Sequence, residues 1–407
     1  MLHNGIAIFF SLVVVIVLFN KRFRLSQQWR ATVTPLASII GSGFLIVAPL
    51  LHATMGKWAL AGIVVLSLFS LALGAIIRFN ILHAEQYLVE NPNGSIAKLE
   101  QVGQWFLGGA YAISVAFYIS LFSAFVFDRL GIENLYIVRV ATTAVLLSIM
   151  AVAWIRGAKG LEAIELYAVT IKLSIIVGVL VALFTYDIST GKAWFEHSAT
   201  QSLSKFEIIS MLAGMLMVTQ GFETTRFMGA EYSATQRIKA VKYSQGIAIV
   251  LYFIFIGLTC PIFLEFPIVE LNETTISHTL GKAVWVLPIL LLIAATASQL
   301  SAALADTIGG GGLVRELLKS KISTNMGYML VVILAIILVW TSNIFEIINF
   351  ASKGFALYYL VQTLITIMLL LKYQNKTGRV WLKIIGSAFI AASLVFVILW
   401  SVPAPHG

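Results

Sequence analysis

The chain has 407 residues, of which 59% are apolar and only 11% charged, against about 25% charged in an ordinary soluble domain. With a mean hydropathy of +0.95 it lacks the polar surface to stay dispersed in water, which excludes one large soluble enzyme, a disordered chain and a disulfide scaffold. A single cysteine, Cys260, excludes an intrachain disulfide. The net charge of +9 would suggest nucleic acid in a soluble protein. Here the basic residues sit mostly in short loops on alternate sides of long apolar runs, the cytoplasmic signature of an integral membrane protein.

Twelve apolar runs are long enough to cross hydrocarbon, near 4–20, 32–52, 58–80, 104–126, 135–155, 163–185, 207–229, 244–266, 283–307, 326–342, 346–371 and 380–401. The expected fold is therefore an all-α polytopic membrane protein with about 12 transmembrane helices. Polar interruptions make 207–229 and 346–371 the least regular of them. The first run has no basic residues before it. Lys21, Arg22, Arg24 and Arg30 follow it instead, so it reads as a retained helix with its N-terminus outside. Alternate loops carry Arg78, Lys98, Arg237, Lys242, Arg315, Lys319, Lys372 and Arg379, while the others hold few bases and collect Glu265, Glu270 and Glu273. That asymmetry places the first set in the cytoplasm and both termini outside, in a cell (inner) membrane.

Residues 32–185 and 207–371 each hold five spans. Five is odd, so the second set must run opposite to the first, as an inverted-repeat transporter requires. The chain divides accordingly into an extra N-terminal helix with a basic cytoplasmic loop (1–31), a first five-helix repeat (32–185), an extracellular or periplasmic connection (186–206), an inverted second repeat (207–371), and a C-terminal helix and tail (372–407).

The first span of each repeat is interrupted at matching depth, by Ile39-Ile40-Gly41-Ser42-Gly43-Phe44-Leu45 and by Thr219-Gln220-Gly221-Phe222-Glu223-Thr224-Thr225. Glycine weakens a helix interior by about 1 kcal/mol against alanine. Unwinding there frees backbone groups that only protein, water or a bound solute can satisfy at that depth. Helix N-termini attract a carboxylate and freed carbonyls attract an ammonium or a cation. The competing explanation for Gly41 and Gly43 is close packing through small residues; the second interruption at the corresponding place tells against it. Glu223 would contact a substrate amine or carry a proton, unless it simply pairs with Arg226.

These residues carry a resemblance. Ile40-Gly41-Ser42-Gly43-Phe44-Leu45, with Pro49 and Met55-Gly56 downstream, resembles the first core helix of the amino acid–polyamine–organocation (APC) transporters. Gly221-Phe222-Glu223 with Gly229-Ala230-Glu231 and Arg237-Ile238 resembles the sixth, Asn91-Pro92-Asn93-Gly94 the loop after the second, and Ala351-Ser352-Lys353-Gly354 part of the tenth. The chain departs from the pattern at Tyr232, at Ser233-Ala234-Thr235-Gln236 and in its extra first helix.

The resemblance implies an inverted five-plus-five fold and a small-molecule substrate at the midplane. Its carboxylate would meet N–H groups near Ser42 and Gly43. Its amine would meet carbonyls near Ile39, Ile40 and Gly221, with Gly41, Phe222, Glu223 and Thr224 completing the pocket. Lys172 would stand where sodium-driven relatives hold their ion and act as the proton-coupling group. It lies about ten residues from Glu162, roughly 15 Å in, which is far for a lysine reaching back to the interface. Ser298 and Ser301, on one helix face, would lie beside that cation region, and Arg30 with Asp306 would form an inner gate. Tyr118 is a candidate pocket wall. Glu346 and Lys353 share a face and receive no role.

No metal or other cofactor is expected. There is no His-Glu-x-x-His and no Gly-x-Ser-x-Gly, and Gly309–Gly312 is followed by neither Lys-Ser nor Lys-Thr. The function expected is proton-coupled secondary transport of amino acids or related small amines by alternating access, in contact with lipid and without nucleic acid. An exchanger of the same fold and a non-transporting solute sensor are the alternatives. An ion channel is disfavoured by the lack of a filter-like repeat.

Overall fold

The computed structural model describes residues 2–132, 134–156, 159–191, 203–229, 231–268, 271–318, 321–373 and 378–403, with Ser42, 156, 159–166 and 373 described in backbone only. Most of the expected 186–206 connection lies outside the described residues. All regular structure among the described residues is helical. In chain order the α-helices are α1 (Leu2–Leu18), α2 (Lys21–Arg24), α3 (Gln27–Ser42), α4 (Phe44–Met55), α5 (Ala59–Phe79), α6 (Glu85–Glu90), α7 (Ser95–Arg129) and α8 (Leu135–Arg156). They continue with α9 (Lys159–Thr190), α10 (Lys205–Gly214), α11 (Ala234–Glu265), α12 (Thr275–Ala283), α13 (Leu287–Leu317), α14 (Thr324–Thr341), α15 (Ile344–Tyr373) and α16 (Gly378–Trp400).

Among the described residues, nine helical stretches are long and apolar enough to span a bilayer. Three features separate that figure from twelve runs. The first helix has only 17 residues. The runs at 32–52 and 58–80 belong to one helical stretch, Gln27–Glu90. The run at 207–229 is not a continuous helix, because α10 stops at Gly214. By contrast 346–371 lies inside the single helix α15. Its Ser352 hydroxyl is turned to a neighbouring backbone, where it accepts from Met217 N (2.9 Å) and donates to Gly214 O (2.7 Å).

The packing is centred on α7 and α13, which lie along each other, with α15 against α7 and α3 against α11 and α13. Helix α4 is buried from Phe44 to Thr54. The outer helices show the opposite pattern: Phe9 and Ile16 on α1, Ile155 on α8 and Leu382 and Phe389 on α16 are exposed. Contiguous exposed apolar side chains are the surface that lipid covers. The run Gly309–Gly312 is helical within α13, where Gly311 packs directly on Tyr328 of α14.

One end of the bundle is tied by a buried guanidinium. Arg237 of α11 makes two hydrogen bonds to Glu85 of α6 (2.7 and 2.6 Å) and also donates to Thr225 O (3.3 Å) and Arg226 O (3.2 Å). Such a fork-to-carboxylate pair fixes geometry as well as charge, and here it anchors the far end of the interrupted crossing.

Candidate functional site: an interrupted crossing beside a one-sided cavity

The crossing that starts with α10 opens on a full capping box, in which Ser204 Oγ accepts from Glu207 N and Glu207 reaches back to Ser204 N. Beyond Gly214 it continues as a short 3₁₀ segment, Leu216–Thr219, an extended Gln220, and a second 3₁₀ segment, Phe222–Phe227. Between them Gly221 has φ +129°, a region that L residues avoid. A Cβ there would overlap the Ser38 side chain and approach Ile39 N at 2.8 Å. The interruption is thus pressed against α3.

The freed backbone groups are met by protein. Thr219 O accepts from Ser70 Oγ (2.9 Å), and Gly221 N donates to Glu223 Oε2 (2.9 Å). Gly221 O accepts from Thr224 Oγ1 (2.8 Å), and Val218 O from the Tyr252 hydroxyl (2.9 Å). Tyr252 also donates to Ile39 O (3.0 Å), so one phenol sits between the two crossings.

The first interruption is much smaller. Helix α3 runs on through Ile39, Ile40 and Gly41 to Ser42, and only Gly43 separates it from α4, at φ −107° and ψ −13°. The Ser42 side chain lies outside the described residues. This corrects the expectation of an unwound 39–45 segment whose carbonyls await a solute. Gly41 O accepts from Gln299 Nε2 (2.9 Å) and Ser298 Oγ (3.3 Å), and Ile39 O is held by Tyr252. The reason is local: Gly43 stays in the right-handed helical region, so the chain leaves α-helix for a single residue.

Lys172 lies in this neighbourhood. It is 2% exposed, and its Nζ donates to Ala37 O on α3 (2.9 Å) and Ser298 Oγ on α13 (3.0 Å). Ser298 in turn donates to Gly41 O, which makes a chain from α9 through α13 to α3. Ser301 is not part of it: its hydroxyl bonds back to Ser298 O (2.9 Å) and faces a cavity.

That cavity has a volume of about 460 Å³ and lies one to two turns along α3 from Gly41. Its wall includes Thr34, Ala37, Ser38, Tyr111, Thr224, Ser301 and Asp306, and it reaches Gly309, Gly312 and Glu316. Ser301 and Asp306 are buried while Gly309, Gly312 and Glu316 are exposed, so the space opens toward the end of the bundle that bears Arg315. On the other side, Phe44 stacks on Phe255 at 4.4 Å and packs against Tyr252 at 5.3 Å, closing the path. Of the residues expected to bind substrate, Thr224 is on the cavity wall; Ile39, Ile40, Gly41, Gly43, Gly221, Phe222 and Glu223 are packed behind it. Tyr118 is buried elsewhere on α7, and Tyr111, two turns earlier, takes the wall position.

The charges resolve into different partnerships from those expected. Asp306 accepts from Ser114 Oγ at 2.5 Å, while Arg30 is exposed and makes no ion pair among the described residues, so the two do not meet as a gate. Arg226 is not the partner of Glu223. It forms an ion pair with Glu100 of α7 (3.3 Å) and contacts Gln362 of α15, which itself donates to Glu100 (2.9 Å). Glu223 accepts instead from the Tyr359 hydroxyl (2.5 Å) and from Gly221 N. Its Oε1, both side-chain polar atoms of Gln220, and Gln299 Oε1 are buried without a hydrogen-bond partner, which clusters unused polar capacity behind the cavity. Tyr252, Gln299, Tyr359 and Ser114 carry no sequence signal, being single polar residues in apolar runs.

Membrane-length helices around an interrupted crossing, with a cavity open to one end, make this a membrane transport protein. Residues 21–401 match the family described as APC superfamily transporter. An uncharacterized protein of Aquifex aeolicus (strain VF5) is 36% identical over 400 residues, covering 97% of this chain and 96% of that protein. In fold, the chain is similar to the crystal structure of the Eremococcus coleocola manganese transporter in complex with an aromatic bis-isothiourea substituted compound. The TM-score is 0.59 at 12% identity, over 93% of this chain and 88% of that one. The chain belongs to the APC superfamily of transporters.

Proposed function

We propose that this transporter carries amino acids or related small amines by alternating access, coupled to protons, with Lys172 as the coupling group. One observation carries the reading: the buried Lys172 Nζ bridges Ala37 O on α3 and Ser298 Oγ on α13. A charged ammonium there ties α9 to the first crossing. Loss of its proton removes the charge and one donor, loosening α3 where alternating access needs it to move. A lysine suits this role because its amine titrates when buried, whereas arginine stays charged.

The charged residues on the cavity wall, Asp306 and Glu316, are both acidic, which favours a substrate bearing an amine. Hydroxyls of Thr34, Ser38, Thr224 and Ser301 would supply neutral contacts. The similar solved structure is that of a manganese transporter; the preference for an amine here rests on the acidic Asp306 and Glu316 of the cavity wall. In the same reading the chain makes twelve crossings as a five-plus-five inverted repeat over 32–185 and 207–371, flanked by α1 and α16. Both termini lie outside the cell membrane, and the cavity faces the cytoplasm.

The test is uptake into proteoliposomes under an inward proton gradient, over a panel of amino acids and amines. Lys172→Gln and Lys172→Ala are expected to lose proton-driven accumulation while still binding substrate. Undiminished accumulation by either variant removes Lys172 from the mechanism. Counterflow without net accumulation by the wild type identifies an exchanger, and binding without either identifies a sensor.

A further inference from the structure

A second cavity, of about 520 Å³, lies on the side of the bundle between the α2–α3 junction and α11. Phe23, Trp29 and Tyr243 form much of its wall, and Lys242 stands at its edge. Phe23 is 43% and Tyr243 50% exposed, and Phe23 meets Trp29 edge to face at 5.9 Å. Gly246 forms part of the lining, and a Cβ built on it would touch nothing within 4 Å. Ser26, Gln28 and Thr32 also line it, and its surface is mainly apolar and aromatic.

Lys242, the charged residue of the lining, and the charged residues of the adjoining α2 are all basic. Helix α2 reads Lys-Arg-Phe-Arg with none of its residues buried, and Lys242 is exposed. Among the described residues no ion pair involves Lys21, Arg22, Arg24 or Lys242. Lys242 lies eight residues into α11, about 12 Å from its start, and Gly246 one turn further. On the membrane placement proposed above, on which this inference rests, the bases stand at the water end of the groove and its floor continues along α11 toward hydrocarbon.

We propose that this groove binds an anionic diacyl phospholipid. Its phosphate would meet Lys242, Arg22 and Arg24, and one acyl chain would lie along Phe23, Tyr243 and the gap at Gly246. A soluble anion would use the bases and leave the trough unfilled. A zwitterionic lipid would fill the trough and leave the bases without net charge to neutralise. Only an anionic lipid satisfies both, and basic pockets between membrane helices on the cytoplasmic side have this use generally. The groove bridges the start of α3 and α11, which are already joined by Gln28 Nε2 donating to Gln236 O (3.1 Å), so a bound lipid braces that joint.

The experiment is native mass spectrometry of the full-length protein in detergent with equal amounts of phosphatidylglycerol and phosphatidylcholine. The wild type is expected to retain phosphatidylglycerol preferentially. Lys242→Gln should lower that retention about fivefold, the effect of one base near an anionic lipid. Gly246→Leu, which fills the trough, should remove the bound lipid. Gly386→Leu on α16, at an exposed helical glycine with equally open surroundings, should change nothing. Thermal midpoints measured alongside confirm that each variant is folded. Equal retention of the two lipids by the wild type, identical behaviour of Gly246→Leu and Gly386→Leu, or full competition by glycerol phosphate alone would each overturn the proposal.

Discussion

The two interrupted crossings meet face to face yet are built differently. The first loses one residue of helix, at Gly43, which stays in the right-handed helical region. The second gives up α-helix from Gly214 to Phe227 and turns through a positive φ at Gly221. The first is stiff because its polar groups are held from outside by Lys172, Ser298, Gln299 and Tyr252. The second is held mainly by its own side chains, Glu223 and Thr224, and by single hydroxyls from Ser70, Tyr252 and Ser352. The lesson is that two glycine-bearing segments form one nearly continuous helical arm and one unwound arm that bonds largely to itself.

Substitution of the glycines should separate the arms most strongly. Gly221→Ala combines backbone strain at φ +129° with overlap onto Ser38 and the α3 backbone. Together these should cost at least about 3 kcal/mol, read as a large drop in thermal midpoint with loss of transport. A midpoint equal to wild type would mean that the positive-φ turn does not exist in the membrane.

Gly43→Ala should cost less, roughly 1–3 kcal/mol. Its backbone angle is ordinary for alanine, and the three nearest atoms an added Cβ would meet are Val218 Cγ1, Cγ2 and Cβ, the last at 2.6 Å. Val218→Gly, which removes that Cβ together with both methyls, should therefore recover part of the stability lost in Gly43→Ala and none of that lost in Gly221→Ala. Rescue of both, or of neither, would erase the distinction drawn between the arms.

Tyr252→Phe removes the donor shared by Ile39 O and Val218 O. A loss of about 1–2 kcal/mol is expected from two buried carbonyls left unmet, measured by thermal or chemical unfolding in detergent. The smallest contrast lies at the helix starts. Ser204→Ala breaks a reciprocal capping box, whereas Ser26→Ala removes a single bond to Trp29 N. Both should cost on the order of 1 kcal/mol, with Ser204→Ala the larger; the reverse order would show that α10 is not held by its cap.

Much of the fold could be read before the structure, and the reason differs by residue. Long apolar runs locate helices because hydrocarbon demands about twenty apolar residues whatever their neighbours. Gly221 marks a break because its conformational freedom is a property of the residue itself. Lys172 stands out because a charge within an apolar run must be held by something. The same arguments over-read Gly41–Gly43, since two glycines permit a break without requiring one. Arg226 was set against Glu223, three positions away, when its partner Glu100 is 126 residues distant. Tyr118 and Tyr111 are chemically alike, and only the packing of α7 on α13 decides which one faces the cavity.

Sequence alone therefore determined the membrane character, the family, the interrupted second crossing and the presence of a buried amine, all of which follow from hydropathy and from what single residues tolerate. Tertiary structure alone decided which freed carbonyls stay occupied, which carboxylate meets which base, and that the open space lies beside Ser38 and Asp306 rather than between the glycines. Those outcomes depend on distances between helices far apart in the chain, and no local pattern encodes them.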